Sequence, residues 1–449
     1  MGRLFGTDGV RGISNTELTC ETAMNIGRAV AMELTNSDGT HPTVLIGKDT
    51  RISSDMLEAA LSAGLCSAGA NVVQLGVVPT PAVAYLIGKY HADAGVMISA
   101  SHNPCEFNGI KVFSGDGYKL PDELEEQIEA IVLDGAVPYP KPIGSSVGTI
   151  SFAENAHRDY IDHVKATVPY PLTGLKLALD CANGSASATA KEIFSELGAE
   201  VHMLHDAPNG ININENCGST HMEDLQKYVV EHGMDAGLAF DGDADRCLAV
   251  DEKGNLIDGD FVMAICAADL KSTGRLAKNT VVGTVMSNLG FIRFCEENQM
   301  RFASTKVGDR YVLEKMRLEG YNLGGEQSGH VIFLDYCTTG DGELTGAQLM
   351  STLCRRNAKL SSIATLMEKY PQVLVNVKVS AEGKLRFHTD AVVKRKIKEA
   401  EKILGNTGRV LVRPSGTEPL LRVMAEGESL EQITALCNEI ADVIRAQLA

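Results

Sequence analysis

A serine and a histidine stand side by side just after an apolar segment, a pairing suited to nucleophilic chemistry. Ser101 and His102 follow the apolar run Ala94–Ile98. Open α/β sheets bind their ligands at the carboxyl ends of strands. Pro104 cannot donate to a sheet ladder and disfavours helix at Asn103, so the chain must turn here. The sequence therefore predicts a hydroxyl beside an imidazole at a strand end, although an ordinary turn has a similar composition.

Three aspartates follow a second apolar run. Asp241, Asp243 and Asp245 stand at alternate positions after Ala236–Ala239. Carboxylates at this spacing repel one another unless a cation lies between them, and they can converge on one hard metal ion. A solvated acidic turn is the alternative. Three carboxylates completed by a phosphate oxygen are typical of a Mg²⁺ site.

The same loop could be an EF-hand, because Glu252 stands where the twelfth ligand of such a loop would lie. Position 6 of that loop needs glycine for its sharp turn, and here it is Arg246. The flanking segments 238–240 and 247–250 have the composition of strands rather than helices. We therefore expect a loop between strands and not an EF-hand.

Two further loops carry polar side chains among small residues. The segment Arg413–Pro419 lies between two apolar runs, and its hydroxyls, backbone N–H groups and guanidinium could bind a phosphate, with Arg422 just beyond. A plain β-turn is the alternative. The segment Leu323–His330 contains paired glycines with a carboxylate, an amide, a hydroxyl and an imidazole. Such donors and acceptors on a tight turn suit the hydroxyls of a sugar.

The bulk composition places limits on the class of protein. The 449 residues are 44% hydrophobic and 22% charged, which is ordinary for a globular protein, and domains of about 150 residues predict roughly three or four of them. A net charge of -17 argues against a nucleic-acid or anionic-membrane partner. No apolar run is long enough to span a membrane, and the N-terminus lacks a secretory leader. We expect a cytoplasmic chain.

The cysteines and most histidines do not form a metal-binding pattern in the sequence. The 11 cysteines are scattered, and the two closest, Cys337 and Cys354, are too far apart for a CxxC site. Buried free thiols in a reducing compartment are the expected state. His202, His205 and His221 have no ligand spacing to cysteines, so we expect them to be core or surface residues.

One strand–helix–strand unit recurs three times and must position these loops. The copies are 43–47, 54–68 and 71–75; 175–180, 186–197 and 200–204; and 280–284, 289–298 and 300–303. This alternation predicts βαβ crossovers in a parallel or mixed sheet with helices on its faces. The tail differs, because strands at 373–379, 409–413 and 421–425 combine with helices at 391–404 and 430–447. We expect it to be a small α+β domain.

Together these features resemble the α-D-phosphohexomutase superfamily over the whole chain. The four loops occur in the order found there, and the opening Phe5–Gly12 with the Gly324–His330 loop resembles the branch that acts on glucosamine phosphates. The resemblance implies an α/β fold with three related α/β domains of mixed sheets and a smaller C-terminal α+β domain around a central cleft. Breaks in the sequence place the domains at 1–150 (phosphoserine loop), 151–254 (metal loop), 255–370 (sugar loop) and 371–449 (phosphate loop).

The resemblance also implies a reaction. Glucosamine 6-phosphate and glucosamine 1-phosphate would interconvert through a phosphoserine at Ser101 and a 1,6-bisphosphate, supplying amino-sugar nucleotide and cell-wall precursor synthesis. One Mg²⁺ per chain would be held by Ser101 and the three aspartates. The other catalytic residues implied are His102, Lys111, Arg246 and His330. The implied substrate contacts are Arg11, Lys306, Asp309, Glu326, Ser328, Arg413, Ser415, Gly416, Thr417 and Arg422.

The residues leave some alternatives open. His330, His102 or Lys111 could be the general base for the sugar hydroxyl. The same scaffold could act on glucose or mannose phosphates, and a Mg²⁺-dependent phosphatase with Asp241 as nucleophile, or a non-catalytic cation- and sugar-binding module, would also use the acidic loop. The only partner expected is a small phosphosugar. The sequence does not decide whether the chain forms a homodimer or needs a hexosamine 1,6-bisphosphate activator.

Overall fold

Two compact units make up the chain. The computed structural model describes residues 2–6, 8–34, 41–415 and 419–448. The first unit combines Met1–Met286 with Met300–Leu366, and the second combines Ser287–Gln299 with Met367–Ala449. The predicted domain boundaries near residues 150, 254 and 370 stay a prediction, because compactness alone separates only these two units. Within the described residues, no helix is both long and apolar enough to cross a membrane.

The first sheet has six strands in the order β1-β5-β4-β2-β3-β6. Its strands are β1 (Val10–Ile13), β2 (Thr43–Lys48), β3 (Asn71–Val77), β4 (Ala94–Ile98), β5 (Phe107–Ser114) and β6 (Ile150–Phe152), and its helices are α1 (Cys20–Leu34), α2 (Ile52–Ser67), α3 (Thr80–Tyr90) and α4 (Asp122–Asp134). The pairs β2/β3 and β2/β4 are parallel, whereas β4/β5 is antiparallel. All residues of β4 are buried, as an unbroken apolar run predicts for a central strand.

The second sheet has five strands in the order β11-β10-β9-β7-β8. Its elements are α5 (Ala156–Ala166), β7 (Lys176–Asp180), α6 (Ala190–Glu196), β8 (Glu200–Leu204), α7 (Glu223–His232), β9 (Ala236–Phe240), β10 (Cys247–Asp251) and β11 (Leu256–Ile257). The predicted crossover helix at 186–197 is in fact a 3₁₀ turn, Ser185–Ala188, followed by the shorter α6. The acidic segment joins two strands, so the expectation that it is not an EF-hand is confirmed.

The third sheet has four strands in the order β13-β12-β14-β15. Its strands are β12 (Thr280–Thr284), β13 (Arg301–Thr305), β14 (Leu323–Gly325) and β15 (Val331–Phe333), and the helices of this part of the chain are α8 (Gly259–Ser272), α9 (Leu289–Glu297), α10 (Asp309–Glu319), α11 (Gly342–Arg356) and α12 (Leu360–Ile363). Of these, α9 belongs to the second unit. The strands β12 and β13 are parallel, as the third repeat predicts.

The second unit contains a small antiparallel sheet in the order β16-β18-β17. Its elements are β16 (Gln372–Lys378), α13 (Ala381–Arg386), α14 (Ala391–Leu404), β17 (Gly408–Pro414), β18 (Leu420–Gly427) and α15 (Leu430–Leu448). One face of this sheet and the apolar stripes of α14 and α15 form a common hydrophobic core. The predicted α/β fold with a smaller α+β domain at its end is confirmed.

The three larger sheets each contain the same type of connection between two strands. In each, a strand that is parallel to its neighbour is followed by a short loop and then by an antiparallel strand: β4 and β5, β9 and β10, β14 and β15. The serine loop (residues 99–106), the acidic loop (241–246) and the glycine-rich loop (326–330) are these three connections. The repeat therefore places each chemical motif at the same strand end of its own sheet.

Candidate active site

Ser101 lies at the start of the serine loop with its hydroxyl directed at the acidic loop. Its Oγ donates to Oδ2 of Asp241 at 2.6 Å and lies 3.2 Å from Nδ1 of His102. The residue is buried and has a φ of 53°, a left-handed conformation that L residues rarely adopt. The hydroxyl is thus held between a carboxylate and an imidazole.

Hydrogen bonds from two different sheets hold the backbone of the serine loop. Nη2 of Arg51 donates to the carbonyl oxygens of Ser101 at 2.9 Å and Asn103 at 2.8 Å. The Nδ2 group of Asn214 donates to the same two oxygens, at 2.9 and 3.0 Å. Arg51 follows β2 and Asn214 lies between β8 and α7, so both sheets fix the position of the serine.

The acidic loop gathers three buried carboxylates. Asp241, Asp243 and Asp245 each offer an oxygen, and these three atoms lie within 4.8 Å of one another. Oδ1 of Asp243 and Oδ1 of Asp245 are buried with no hydrogen-bond partner among the described residues. Burial and the charges of Asp245 and Asp243 raise the pKa of Asp241 well above its usual range. Unpaired, mutually repelling oxygens of this kind fit a divalent cation, so the set of donors suits Mg²⁺.

The acidic loop also approaches the serine loop closely through its backbone. A Cβ atom on Gly242 would lie only 2.5 Å from the carbonyl oxygen of Ser101 and 2.9 Å from Nδ2 of Asn214. No side chain fits at such distances without displacing one of the two loops. A glycine is therefore required at position 242 for the hydroxyl of Ser101 to reach Asp241.

Lys111 supplies a buried positive charge to the acidic loop. Its Nζ lies 2.7 Å from Oδ2 of Asp243, 3.1 Å from Oδ2 of Asp8 and 3.5 Å from Oδ2 of Asp245. Burial alone would lower the pKa of Lys111, but Asp243 and Asp8 outweigh it and raise that pKa. In turn, although burial works against ionisation, Lys111 lowers the pKa of Asp243 to about 2. Lys111 is therefore a charged donor rather than a proton acceptor.

Two arginines surround the imidazole next to the serine. The backbone N–H of Arg246 donates to Oδ1 of Asp241 at 3.2 Å, and Nη1 of Arg11 donates to the carbonyl oxygen of Ala100 at 3.4 Å. Burial, followed by the charges of Arg246 and Arg11, lowers the pKa of His102 to about 4. His102 is thus neutral at pH 7, in a region where guanidinium groups favour an anion.

The glycine-rich loop presents His330 and Glu326. His330 is buried, its Nε2 lies 3.9 Å from Oδ2 of Asp309, and neither ring nitrogen has a hydrogen-bond partner among the described residues. Oε1 of Glu326 accepts from the backbone N–H of Gly308 at 3.0 Å, whereas Ser328 is exposed. Asp309 and His330 also line a cavity of about 540 Å³. An imidazole with free nitrogens beside a carboxylate is suited to accept a proton.

A chain of ion pairs links this histidine to the serine loop. Asp309 pairs with the largely buried ammonium of Lys119, whose Nζ also lies 2.5 Å from Oδ1 of Asp8. Asp8 in turn pairs with Arg11 and Lys111. Sequence reasoning missed Lys119 and Asp8 as members of the site, as well as Arg51 and Asn214. Asp8 lies in the glycine-rich opening segment, but no spacing marked it as a partner of residues more than 100 positions away.

The remaining predicted substrate contacts are Lys306 in the first unit and residues of the β17–β18 region in the second. Lys306 is exposed, with its Nζ 5.6 Å from the centre of the Tyr311 ring. In the second unit, Arg413 and Arg422 are register partners on β17 and β18, and burial together with Arg422 lowers the pKa of Arg413. The backbone N–H of Ser415 donates to Leu420 at 2.9 Å. The predicted contacts Gly416 and Thr417 lie outside the described residues.

Family models and related sequences match the chain along its length. The models are those of phosphoglucomutase/phosphomannomutase: alpha/beta/alpha domain I at residues 2–136, domain II at 158–254, domain III at 258–370 and the C-terminal domain at 374–443. The phosphoglucosamine mutase of Clostridium novyi (strain NT) is 57% identical over 445 residues, covering 99% of each chain. That of Thermoanaerobacter sp. (strain X514) is 57% identical over 450 residues, covering 100% of each.

Solved structures share the fold at lower identity. A phosphoglucomutase/phosphomannomutase family protein from Burkholderia thailandensis has a TM-score of 0.83 at 24% identity, covering 99% of this chain and 97% of its own. The Aspergillus fumigatus N-acetylphosphoglucosamine mutase in complex with GlcNAc-6P and magnesium has a TM-score of 0.71 at 17% identity, covering 99% and 96%. At these identities the likeness is one of fold.

Proposed function

Because the chain belongs to the phosphoglucomutase/phosphomannomutase family, part of the α-D-phosphohexomutase superfamily, we propose that it is an isomerase that interconverts glucosamine 6-phosphate and glucosamine 1-phosphate. Full-length relatives that are 57% identical carry the name phosphoglucosamine mutase. Ser101 carries the phosphoryl group, and a glucosamine 1,6-bisphosphate is the intermediate. The product supplies the synthesis of amino-sugar nucleotides and cell-wall precursors.

The observation that carries the proposal is the contact between the serine hydroxyl and the acidic loop. Oγ of Ser101 lies 2.6 Å from Asp241, inside a group of three carboxylates that fits a divalent cation. A phosphate on this oxygen carries about -1.5 to -2 charges at neutral pH. It would lie beside the ammonium of Lys111, which pairs with Asp243, and near the guanidinium of Arg246, whose Nε lies 3.9 Å from Oδ1 of Asp245.

The first transfer takes the phosphoryl group from the serine to the sugar. O1 of glucosamine 6-phosphate attacks phosphorus, the bond from phosphorus to Oγ of Ser101 breaks, and the serine oxygen takes up a proton. Lys111 and Arg246 balance the negative charge on the transferring group. A Mg²⁺ held by Asp241, Asp243 and Asp245 with the phosphoserine would supply further neutralisation when bound.

The second transfer runs in reverse at the other end of the sugar. The bisphosphate reverses its orientation in the site, Oγ of Ser101 gives up its proton and attacks the 6-phosphate, the bond from phosphorus to O6 breaks, and O6 takes up a proton. Ser101 is then phosphorylated again and glucosamine 1-phosphate is released. The same residues serve both steps because both transfers involve the same serine oxygen.

His330 is the general base for the sugar hydroxyl in this proposal. Its ring nitrogens have no hydrogen-bond partner among the described residues, and Oδ2 of Asp309 lies 3.9 Å from its Nε2. His102 is the weaker candidate, because burial and two arginines lower its pKa to about 4. Glu326 and Ser328 on the same loop contact the sugar hydroxyls. Arg413, Ser415 and Arg422 bind the phosphate that is not reacting.

Intact-protein mass spectrometry with peptide mapping tests the proposal. We expect one phosphate on Ser101, and a Ser101→Ala variant that folds but has no mutase turnover. A Ser145→Ala variant is the matched control, since Ser145 is exposed in a turn between α4 and β6 and should keep both phosphate and activity. Turnover that persists in Ser101→Ala would contradict the proposal.

A comparison of kcat/KM values for different sugar phosphates identifies the preferred substrate. We expect kcat/KM to be highest for glucosamine phosphates when compared with glucose and mannose phosphates under the same conditions. A higher value for glucose or mannose phosphate would keep the phosphoserine chemistry but change the substrate. Steady release of inorganic phosphate without any mutase product would instead indicate a phosphatase.

A further inference from the structure

A second cluster of metal-ligating side chains lies in the second sheet, apart from the acidic loop. Asp180 ends β7, His205 follows β8 directly, and Cys217 lies on the loop that leads to α7. Because β7 and β8 are parallel neighbours with Asp180 and Leu204 in register, the first two residues meet at one edge of the sheet. One oxygen, one nitrogen and the sulfur of this cluster lie within 4.8 Å of one another.

The separation of two donors in the cluster already suits a tetrahedral ion. Nδ1 of His205 lies 3.1 Å from Oδ2 of Asp180. In a tetrahedron with zinc–nitrogen and zinc–oxygen bonds of about 2.0–2.1 Å, two such donors lie about 3.3 Å apart. This nitrogen is buried and has no partner with hydrogen-bond geometry among the described residues.

The local charge favours a cation at this place. Nε2 of His205 lies 3.8 Å from Oδ2 of Asp224, in addition to the 3.1 Å contact of its Nδ1 with Asp180. Two carboxylates next to one imidazole stabilise added positive charge. A bound metal ion would supply that charge and take the place of the thiol proton.

We propose that Asp180, His205 and Cys217 bind a thiophilic divalent cation of the zinc class. A set of one sulfur, one nitrogen and one oxygen donor is typical of zinc, whereas magnesium and calcium prefer oxygen donors alone. The cation would take a water molecule as its fourth ligand. Access is from the side of His205, whose side chain is 28% exposed, while Asp180 and Cys217 are buried.

The position of the cluster links this zinc site to the serine loop. The segment between His205 and Cys217 contains Asn214, whose amide group donates to the carbonyl oxygens of Ser101 and Asn103. A metal ion that joins both ends of this segment would restrict its motion. Zinc would then stabilise the chain and hold the serine loop in place without contacting any reacting atom.

Cobalt titration of the full-length chain tests the site directly. Metal is first removed with a chelator, and Mg²⁺ is then supplied in excess so that the acidic loop does not compete. We expect one equivalent of Co²⁺ to produce a thiolate-to-cobalt charge-transfer band in the near ultraviolet, and Zn²⁺ to displace it. Zinc should also raise the melting temperature of the chain.

Three variants identify the ligands. Cys217→Ala should abolish the band, and His205→Gln should weaken cobalt binding at least about tenfold, in line with the loss of a direct ligand. Cys354→Ala is the matched control, because this thiol lies on α11 and is only half-buried, and its band should be unchanged. Circular dichroism establishes that each variant is folded.

The proposal is overturned if the original chain gives no thiolate band with cobalt, or if the band survives in Cys217→Ala. Should Cys217→Ala fail to fold, His205→Gln decides, since its side chain is partly exposed and its loss should not unfold the chain. Unchanged cobalt affinity in folded His205→Gln would also overturn the proposal. Zinc-induced stabilisation that is equal in all variants would show that the ion binds elsewhere.

Discussion

The ammonium of Lys111 lies 2.7 Å from Oδ2 of Asp243, and both side chains are buried. Lys111 belongs to β5 of the first sheet and Asp243 to the acidic loop of the second. This ion pair, with the hydrogen bond from Ser101 to Asp241, joins the two sheets at the point where the serine hydroxyl meets the carboxylates. Loss of this ion pair would therefore affect both the folding stability of the first unit and the net charge of the candidate active site.

Lys111→Met should therefore lower both activity and stability. The change leaves the carboxylates of Asp8 and Asp243 without their shared cation, and breaking a buried ion pair costs about 3–5 kcal/mol. Loss of a positive charge at the transferring phosphoryl group should reduce kcat at least about a hundredfold. Urea unfolding and mutase kinetics measure the two effects.

Lys89→Met is the control for that experiment. Lys89 is about half-exposed and lies 3.8 Å from Asp159, so its removal should change the free energy of unfolding by no more than about 1 kcal/mol. Equal stability of Lys111→Met and Lys89→Met would contradict the role given to the buried pair.

Gly242→Ala should reduce mutase activity at least about tenfold, because displaced catalytic groups lose rate steeply. The added methyl group would lie 2.5 Å from the carbonyl oxygen of Ser101, so the acidic loop and the serine loop must move apart. The paired control is Gly88→Ala on α3, where a Cβ meets nothing within 4 Å. That change should stabilise the helix by roughly 0.5–1 kcal/mol and leave kcat unaltered. Full activity in Gly242→Ala would show that the approach of the two loops is not needed.

Stability should fall in mild acid through His163. The ring stacks on Tyr85 at 3.8 Å, its Nε2 lies 3.0 Å from the carbonyl oxygen of Tyr336, and burial lowers the pKa of His163. The folded chain thus binds this proton more weakly than the unfolded chain, whose histidine pKa is about 6.5. The contribution of this group to the free energy of unfolding is complete above pH 6.5 and is lost as the pH falls through the lower, folded pKa.

Nuclear magnetic resonance of the histidine rings checks this prediction, with His163→Gln to assign the resonance. The midpoint for His163 should lie below 6.5, and the variant should lose less stability than the original chain between pH 7.5 and 5.5, a window set by the ordinary histidine pKa of about 6.5. A midpoint at or above that value would contradict the effect of burial.

Arg413→Gln should weaken substrate binding without destabilising the free chain. Arg413 and Arg422 are register partners on adjacent strands, and like charges placed opposite each other repel unless an anion lies between them. We expect KM for the phosphosugar to rise at least about tenfold, while the melting temperature of the free chain stays the same or rises.

The exposed Arg395 on α14 provides the comparison for Arg413. Arg395→Gln should leave both KM and the melting temperature unchanged. If inorganic phosphate stabilised Arg413→Gln as strongly as it stabilised the original chain, Arg413 would not be a phosphate ligand.

Much of the architecture could be predicted because local sequence fixes it. Unbroken apolar runs predicted the buried strands β4 and β9, and the alternation of strands with helices predicted the parallel pairs β2/β3, β7/β8 and β12/β13. The main local difference is the 3₁₀ turn before α6, where the sequence suggested one continuous helix. Alanine in Ser185–Ala188 favours a helix. However, the backbone N–H of Ser185 donates to Gly242 of the acidic loop and the hydroxyl of Thr189 donates to Glu343, and no local pattern predicts these distant contacts.

By itself, the sequence determined which chemical groups are available and that Ser101, the three aspartates and His330 stand on loops at strand ends. Hydrophobic periodicity and turn residues are local properties, and they carry this information without any distant contact. Only the tertiary structure decided that Asp8 pairs with Lys111 and Lys119, and that His205 meets Cys217. These residues come from separate segments, and burial makes their charges and donors interact strongly once packing brings them together. The spacing of these residues in the sequence predicts neither their tertiary packing nor their burial.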